Sequence, residues 1–134
     1  MIISTRGRYA LRVMLDLAGH EGFIPLKDIS ARQGISHKYL ESIMTLLSKN
    51  GFVEGIHGKG GGYRLNRPTE EYRIGDILRL TEGSLAPVSC LECGAEPCER
   101  AGECVTRPMW EGLHDLINDY FDKVTLASLL SDEK

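Results

Sequence analysis

The sequence predicts a mainly α-helical fold with one small β-hairpin, and three observations predict it. Between residues 26 and 50, a short segment of helical apolar spacing, a glycine and a longer segment of the same spacing follow one another. Directly after them, Phe52, Val53 and Ile56 read as a strand, Gly58, Lys59, Gly60, Gly61 and Gly62 as a glycine-rich turn, and Tyr63, Arg64 and Leu65 as the returning strand. From Pro108 onward, Met109, Trp110, Leu113, Leu116, Ile117, Tyr120, Phe121 and Val124 make a stripe too wide for a single surface helix. Together these describe a winged helix-turn-helix followed by a long C-terminal helix whose stripe packs on the preceding domain, on a second copy as a dimerisation helix, or on both.

Each element has its own reason. Over residues 5–20, Tyr9, Ala10, Val13, Met14, Leu17 and Ala18 recur at helical spacing behind a cap at Ser4 or Thr5, and Gly22 ends the helix. Arg6, Arg8 and Arg12 lie on its other faces, as a solvated surface or as a row of cations for a phosphate backbone. Residues 26–33 form a short helix with Leu26 and Ile29 inward, and Gly34 breaks it. Ser36 caps residues 37–50, whose stripe is Leu40, Ile43, Met44 and Leu47. Residues 74–82 form a short helix through Ile74, Ile77 and Leu78, and Thr125 caps a last turn, with the final SDEK frayed.

At 134 residues with 42% hydrophobic content, the chain makes one compact domain, or a small domain with an appendage. The expected divisions are a DNA-binding unit at 1–83, a cysteine-rich loop at 84–105 and a dimerisation helix with its terminal turn at 106–134. Neither a membrane-length apolar run nor a secretory leader is present, which predicts a cytoplasmic protein with no membrane partner. The net charge of −3 hides an asymmetry: residues 1–68 carry +5 and residues 69–134 carry −8. A basic front and an acidic rear suit one face for phosphates and another for a different task.

The four cysteines, Cys90, Cys93, Cys98 and Cys104, fall within fifteen residues at the spacing C-x2-C-x4-C-x5-C. A reducing compartment favours ligands or sensors over a structural disulfide framework. Soft thiolates on one loop suit an iron–sulfur cluster or a tetrahedral zinc. A dithiol oxidoreductase built on Cys90 and Cys93 lacks the βαβ scaffold and helix start that such chemistry uses. A phosphate-cradling loop would need a helix after the glycines, where a strand follows. The histidines His20, His37, His57 and His114 pair with no evident nucleophile, so nothing suggests an enzyme.

On the DNA side, the exposed start of the second helix of the pair offers Ser36, His37, Lys38, Tyr39, Glu41 and Ser42 to a major groove. Lys38 suits guanine acceptors or a phosphate, and Glu41 accepts from cytosine N4 while repelling phosphates. The hairpin brings Lys59, Arg64 and Arg67 toward the minor groove. Duplex DNA at promoter operators is therefore the expected partner.

The opening ISTRGRYALRVMLDLA, the segment IPLKDISARQGISHKYLE, the hairpin GKGGGYRL and the tail ECVTRPMWEGL…VTLASLL resemble the Rrf-two family of winged-helix regulators, in particular its iron–sulfur cluster-regulator branch. The resemblance covers nearly the whole chain. It implies a homodimer crossed at the long helix, two heads reading DNA as a transcription regulator of cluster-assembly genes, a [2Fe–2S] cluster in the cysteine loop, and cluster donor proteins as further partners. A [4Fe–4S] cluster, a structural zinc and a thiol redox or nitric oxide sensor are the alternatives.

Cys98 and Cys104 match the family's spacing for its last two ligands, and Cys90 or Cys93 supplies the first. The branch's histidine three residues after the last cysteine is Arg107 here, which stays protonated and cannot ligate. Either the spare cysteine takes the fourth place or the other subunit's first helix supplies a ligand, where Arg8 is equally unsuitable. The family's wing arginine corresponds to His57.

Overall fold

In the computed structural model, residues 2–92 and 102–132 are described. Helix α1 spans Thr5–Ala18, and Ser4 caps it, its Oγ accepting from the Gly7 amide at 3.1 Å. The helix stops two residues short of the predicted end. The Gly19 N–H is spent on the Leu15 and Asp16 carbonyls, and the His20 ring turns back to the Asp16 carbonyl at 2.8 Å, so the last turn is closed by local capping. Helix α2 covers Leu26–Gln33 and ends at Gly34 in the left-handed region, φ +66°. Helix α3, His37–Lys49, begins at Ser36, whose Oγ accepts from the Tyr39 amide at 3.3 Å.

Strands β1, Val53–Ile56, and β2, Gly62–Leu65, pair antiparallel with Val53 opposite Leu65 and Ile56 opposite Gly62. Phe52, expected to open the first strand, instead gives its carbonyl to the Tyr72 hydroxyl at 2.7 Å. An unforeseen bridge joins Ile24 to Tyr63 through two backbone hydrogen bonds of 2.8 and 3.0 Å. It brings the chain ahead of α2 so close to Gly62 that a Cβ there would sit 2.3 Å from the Ile24 carbonyl oxygen. The hairpin's seating against the body therefore depends on that glycine.

Helix α4 spans Ile74–Glu82, α5 Arg107–Lys123 and α6 Leu126–Asp132. Thr125 does cap α6, its Oγ1 accepting from the Ser128 amide at 3.1 Å. Ser131 and Asp132 extend that helix where fraying was expected; residues 133–134 lie outside the described residues. The core runs from Ala10, Val13 and Met14 through Leu40, Ile43, Met44 and Leu47 to Ile77, Leu78 and Leu126. Leu126 is wholly buried, and its amide reaches the Tyr72 carbonyl at 3.1 Å, so the C-terminal turn closes onto the approach to α4. Each of the buried Val, Leu, Ile and Met side chains contributes about 1.5–3 kcal/mol through burial.

One buried charge fastens α1 to α2. Asp16 accepts from Arg32 Nε and Nη2 at 3.0 and 2.7 Å and from Gln33 Nε2 at 2.8 Å. Burial pushes its carboxyl up, but the Arg32 and Gln33 hydrogen bonds outweigh burial and hold it below the usual carboxylate range. The ionised form is thus favoured by the fold. Its contribution is complete above the ordinary carboxylate pKa, near 4, and is lost as pH falls through the lower folded value. Asp16→Asn should cost about 2 kcal/mol at pH 7 and much less near pH 2. Urea unfolding at both pH values checks this, and an equal loss at the two would rule out the charge as the cause.

Candidate nucleic-acid interface and cysteine segment

The start of α3 stands out from the body. Ser36, His37, Lys38, Glu41 and Ser42 are exposed, whereas Leu40, Ile43, Met44 and Leu47 of the same helix are buried. Period 3.6 alone produces this division. Tyr39 is half-buried, its ring edge-on to Tyr9 at 5.7 Å, so it steadies the helix start as well as facing outward. Ser42 Oγ donates to the Tyr39 carbonyl at 2.7 Å. The carboxylate of Glu41 lies 3.4 Å from His37 Nδ1. A cleft of about 400 Å³ separates α3 from the hairpin, lined by Glu41, Thr45, His57 and Gly58 among others.

The predicted cations separate into two groups. Arg6 and Arg8 on α1, Lys38 on α3 and Lys59 on the hairpin turn are exposed and form no ion pair among the described residues. His57 is exposed beside Lys59. Arg64 is occupied: its Nε donates to Glu54 across the hairpin, and its guanidinium lies 4.3 Å from the centre of the Phe23 ring. Arg67 stacks on Tyr72 at 4.8 Å and donates to the Gly51 carbonyl. Arg12 sits over Tyr9 at 5.2 Å and is hydrogen-bonded to Gln33. These three brace the scaffold, and Phe23 and Glu54, which hold Arg64, carried no signal in the sequence beyond being an aromatic and a strand carboxylate.

The cysteine segment leaves α4 at Gly83. Cys90 lies half-buried in a single 3-10 turn, Ser89–Leu91. Cys104 precedes α5, its Sγ 3.4 Å from the Thr106 hydroxyl. The Thr106 hydroxyl, then the Arg107 and Thr106 backbone amides, draw this thiol below its ordinary range. A thiol so placed is readied as thiolate, the form that binds metal. Cys93 and Cys98 lie outside the described residues. Among the described residues no three His, Cys, Asp or Glu side chains come together. Arg107 is held by Glu111, Nε to Oε1 at 2.8 Å, and runs along α5.

Helix α5 has two apolar faces. Ile117, Phe121 and the adjoining Val124 pack against the core, and Arg79 ties α4 to Asn118 and Asp122 with hydrogen bonds of 2.8–3.1 Å. On the outside, Met109, Leu113, Leu116 and Tyr120 are 57, 40, 68 and 66% exposed. No helix among the described residues is long and apolar enough to cross a membrane.

The sequence pattern of the Rrf2 family, described as an iron-dependent transcriptional regulator, matches residues 3–132. The chain belongs to the Rrf2 family. It is 39% identical over 136 residues to the HTH-type transcriptional regulator IscR of Pectobacterium carotovorum, covering 100% of this chain and 82% of that protein. Among solved structures, T. potens IscR superposes with a TM-score of 0.78 at 35% identity, covering 100% of this chain and 89% of the other. CymR (YrzC), described as the global cysteine regulator of B. subtilis, superposes at 0.80 with 34% identity over 100 and 99% of the two chains. The hairpin is accordingly the wing of a winged-helix fold, and this Rrf2 chain is a DNA-binding transcription regulator rather than an enzyme.

Proposed function

We propose that the chain is a homodimeric cytoplasmic regulator that reads promoter DNA with α3 and the wing and responds to a [2Fe–2S] cluster held by its cysteine segment, controlling genes of iron–sulfur cluster assembly. The observation that carries this reading is Cys104, placed at the entrance to α5 with its thiol drawn toward thiolate by Thr106. The donor set fits the group: sulfur ligands suit iron–sulfur clusters, and Cys90, Cys93 and Cys98 would complete the site with Cys104. Arg107, turned to Glu111, leaves the fourth place to a cysteine. When bound, the cluster supplies an oxygen- and redox-labile centre. The protein's part is to seat it between α4 and α5, so that the loop's conformation is coupled to the helix carrying the outer apolar face. Resemblance to proteins named IscR, and the family's description as iron-dependent, support the same reading.

The DNA-reading set is Arg6, Arg8, Ser36, His37, Lys38, Tyr39, Glu41, Ser42, His57 and Lys59, with Arg64 bracing the wing. Glu41→Ala should widen sequence tolerance, reducing discrimination at its base pair by about five- to a hundredfold. A binding titration with matched and mismatched duplexes checks this; unchanged discrimination refutes it.

Anaerobic purification with iron, zinc and sulfide analysis, absorption and Mössbauer spectroscopy tests the cluster. Equimolar iron and sulfide with a visible chromophore are expected. Colourless protein carrying zinc, or metal-free protein whose DNA binding follows thiol oxidation, would instead favour a structural zinc or a thiol sensor. The similar S. aureus CymR has been solved in an oxidized form, and that observation favours the thiol sensor as the second reading.

A further inference from the structure

We propose that His37 is a specificity-determining residue that positions the Glu41 carboxylate on the reading face of α3. The inference rests on the assignment of α3 as the recognition helix and deepens it. His37 and Glu41 are four residues apart, one helical turn, and the imidazole Nδ1 lies 3.4 Å from Glu41 Oε1. Both side chains are more than half exposed, at 56 and 57%, so neither is held by the core. Among the described residues, neither side chain has another ion-pair or hydrogen-bond partner. Glu41 also lines the cleft between α3 and the wing. A free glutamate on a phosphate-facing surface samples many rotamers and repels the backbone in most of them. An imidazole one turn toward the helix start restricts those rotamers and offsets part of the charge.

The pairing makes reading depend on protonation. An imidazolium cancels more of the Glu41 charge than neutral imidazole does. Overall affinity then rises through weaker phosphate repulsion, and the carboxylate competes less well for a cytosine amine. Arg12 of α1, which packs on α3 through Tyr9 and Tyr39, is held over the Tyr9 ring and by Gln33. Lys38 neighbours the pair on α3. On the elements packed against α3, Arg32 of α2 is held by Asp16 and Glu54 of β1 by Arg64, leaving Lys27 and Asp28 of α2. His57 lines the same cleft from the wing and requires its own control.

The experiment selects the best-bound duplex from a random-sequence pool and measures fluorescence anisotropy with it and its single-base-pair variants at pH 6 and 8. For the unaltered protein, discrimination at the Glu41-dependent base pair should fall about twofold from pH 8 to 6 while affinity rises about as much. His37→Asn keeps a donor near the Nδ1 position without titrating, and should hold the pH 8 discrimination at both pH values. His37→Phe should lose about twofold at both. His57→Gln should leave the pH dependence of discrimination in place. If Glu41→Ala changes discrimination but His37→Phe retains both the discrimination and its pH dependence, the role of His37 is overturned while α3 remains the reader. If neither substitution changes discrimination, both readings fall.

Discussion

Leu116→Glu combined with Tyr120→Glu should yield a folded monomer that binds its operator at least about a hundredfold more weakly. The two side chains belong to the outer face of α5, where Met109, Leu113, Leu116 and Tyr120 follow one another at intervals of four, three and four. That is the spacing of a helix–helix seam. Their exposure leaves a large apolar face uncovered in the single chain, whereas Ile117 and Phe121 on the adjoining face already pack on the core. Across a two-fold axis each substitution acts twice. Four large apolar groups would be lost, each contributing about 1.5–3 kcal/mol, and four carboxylates would face one another instead. The weaker DNA binding follows from separating the heads, because linked sites raise effective concentration by orders of magnitude. Sedimentation equilibrium and anisotropy check the two effects. Far-UV circular dichroism should be unchanged, since neither side chain is in the core. A double variant that remains dimeric would show that another face joins the subunits.

Cys104→Ala should remove the visible chromophore and bound iron from anaerobically prepared protein and shift the preference among operators. The metal-free protein should barely change, by under about 0.5 kcal/mol, because the thiol is only half-buried and its contact is the Thr106 hydroxyl. Loss of iron without loss of fold is the signature of a ligand, as opposed to a packing residue. Iron and sulfide assays, absorption spectra and thermal unfolding of the metal-free forms make the comparison. Thr106→Val is the companion: it removes the hydroxyl that favours thiolate and should weaken metal retention less than loss of the sulfur does. If Cys104→Ala keeps its colour, the cysteine is not a ligand.

Much of this fold was legible because its signals are local. Ser36 followed by a stripe of Leu40, Ile43, Met44 and Leu47 determines where α3 starts and which way it faces, and Gly34 can be read directly as a helix end. The basic glycine turn similarly announced the wing. What escaped depends on partners distant along the chain. Nothing near Asp16 marks it as the buried receptor of Arg32 and Gln33, and nothing near Arg64 marks Glu54 and Phe23 as its supports. Sequence alone groups the basic residues by charge, whereas packing divides them into braces and exposed cations. The stripe on α5 was visible, but its division into an inner and an outer face required α4 and the core to be in place.

Glu82 receives both the amide and the hydroxyl of Ser4, the hydroxyl at 2.6 Å, and it is also the last residue of α4 before the chain departs at Gly83 toward the thiols. One carboxylate thus joins the foot of the helix bearing Arg6 and Arg8 to the point where the cysteine-bearing segment leaves α4, a direct link within a single chain.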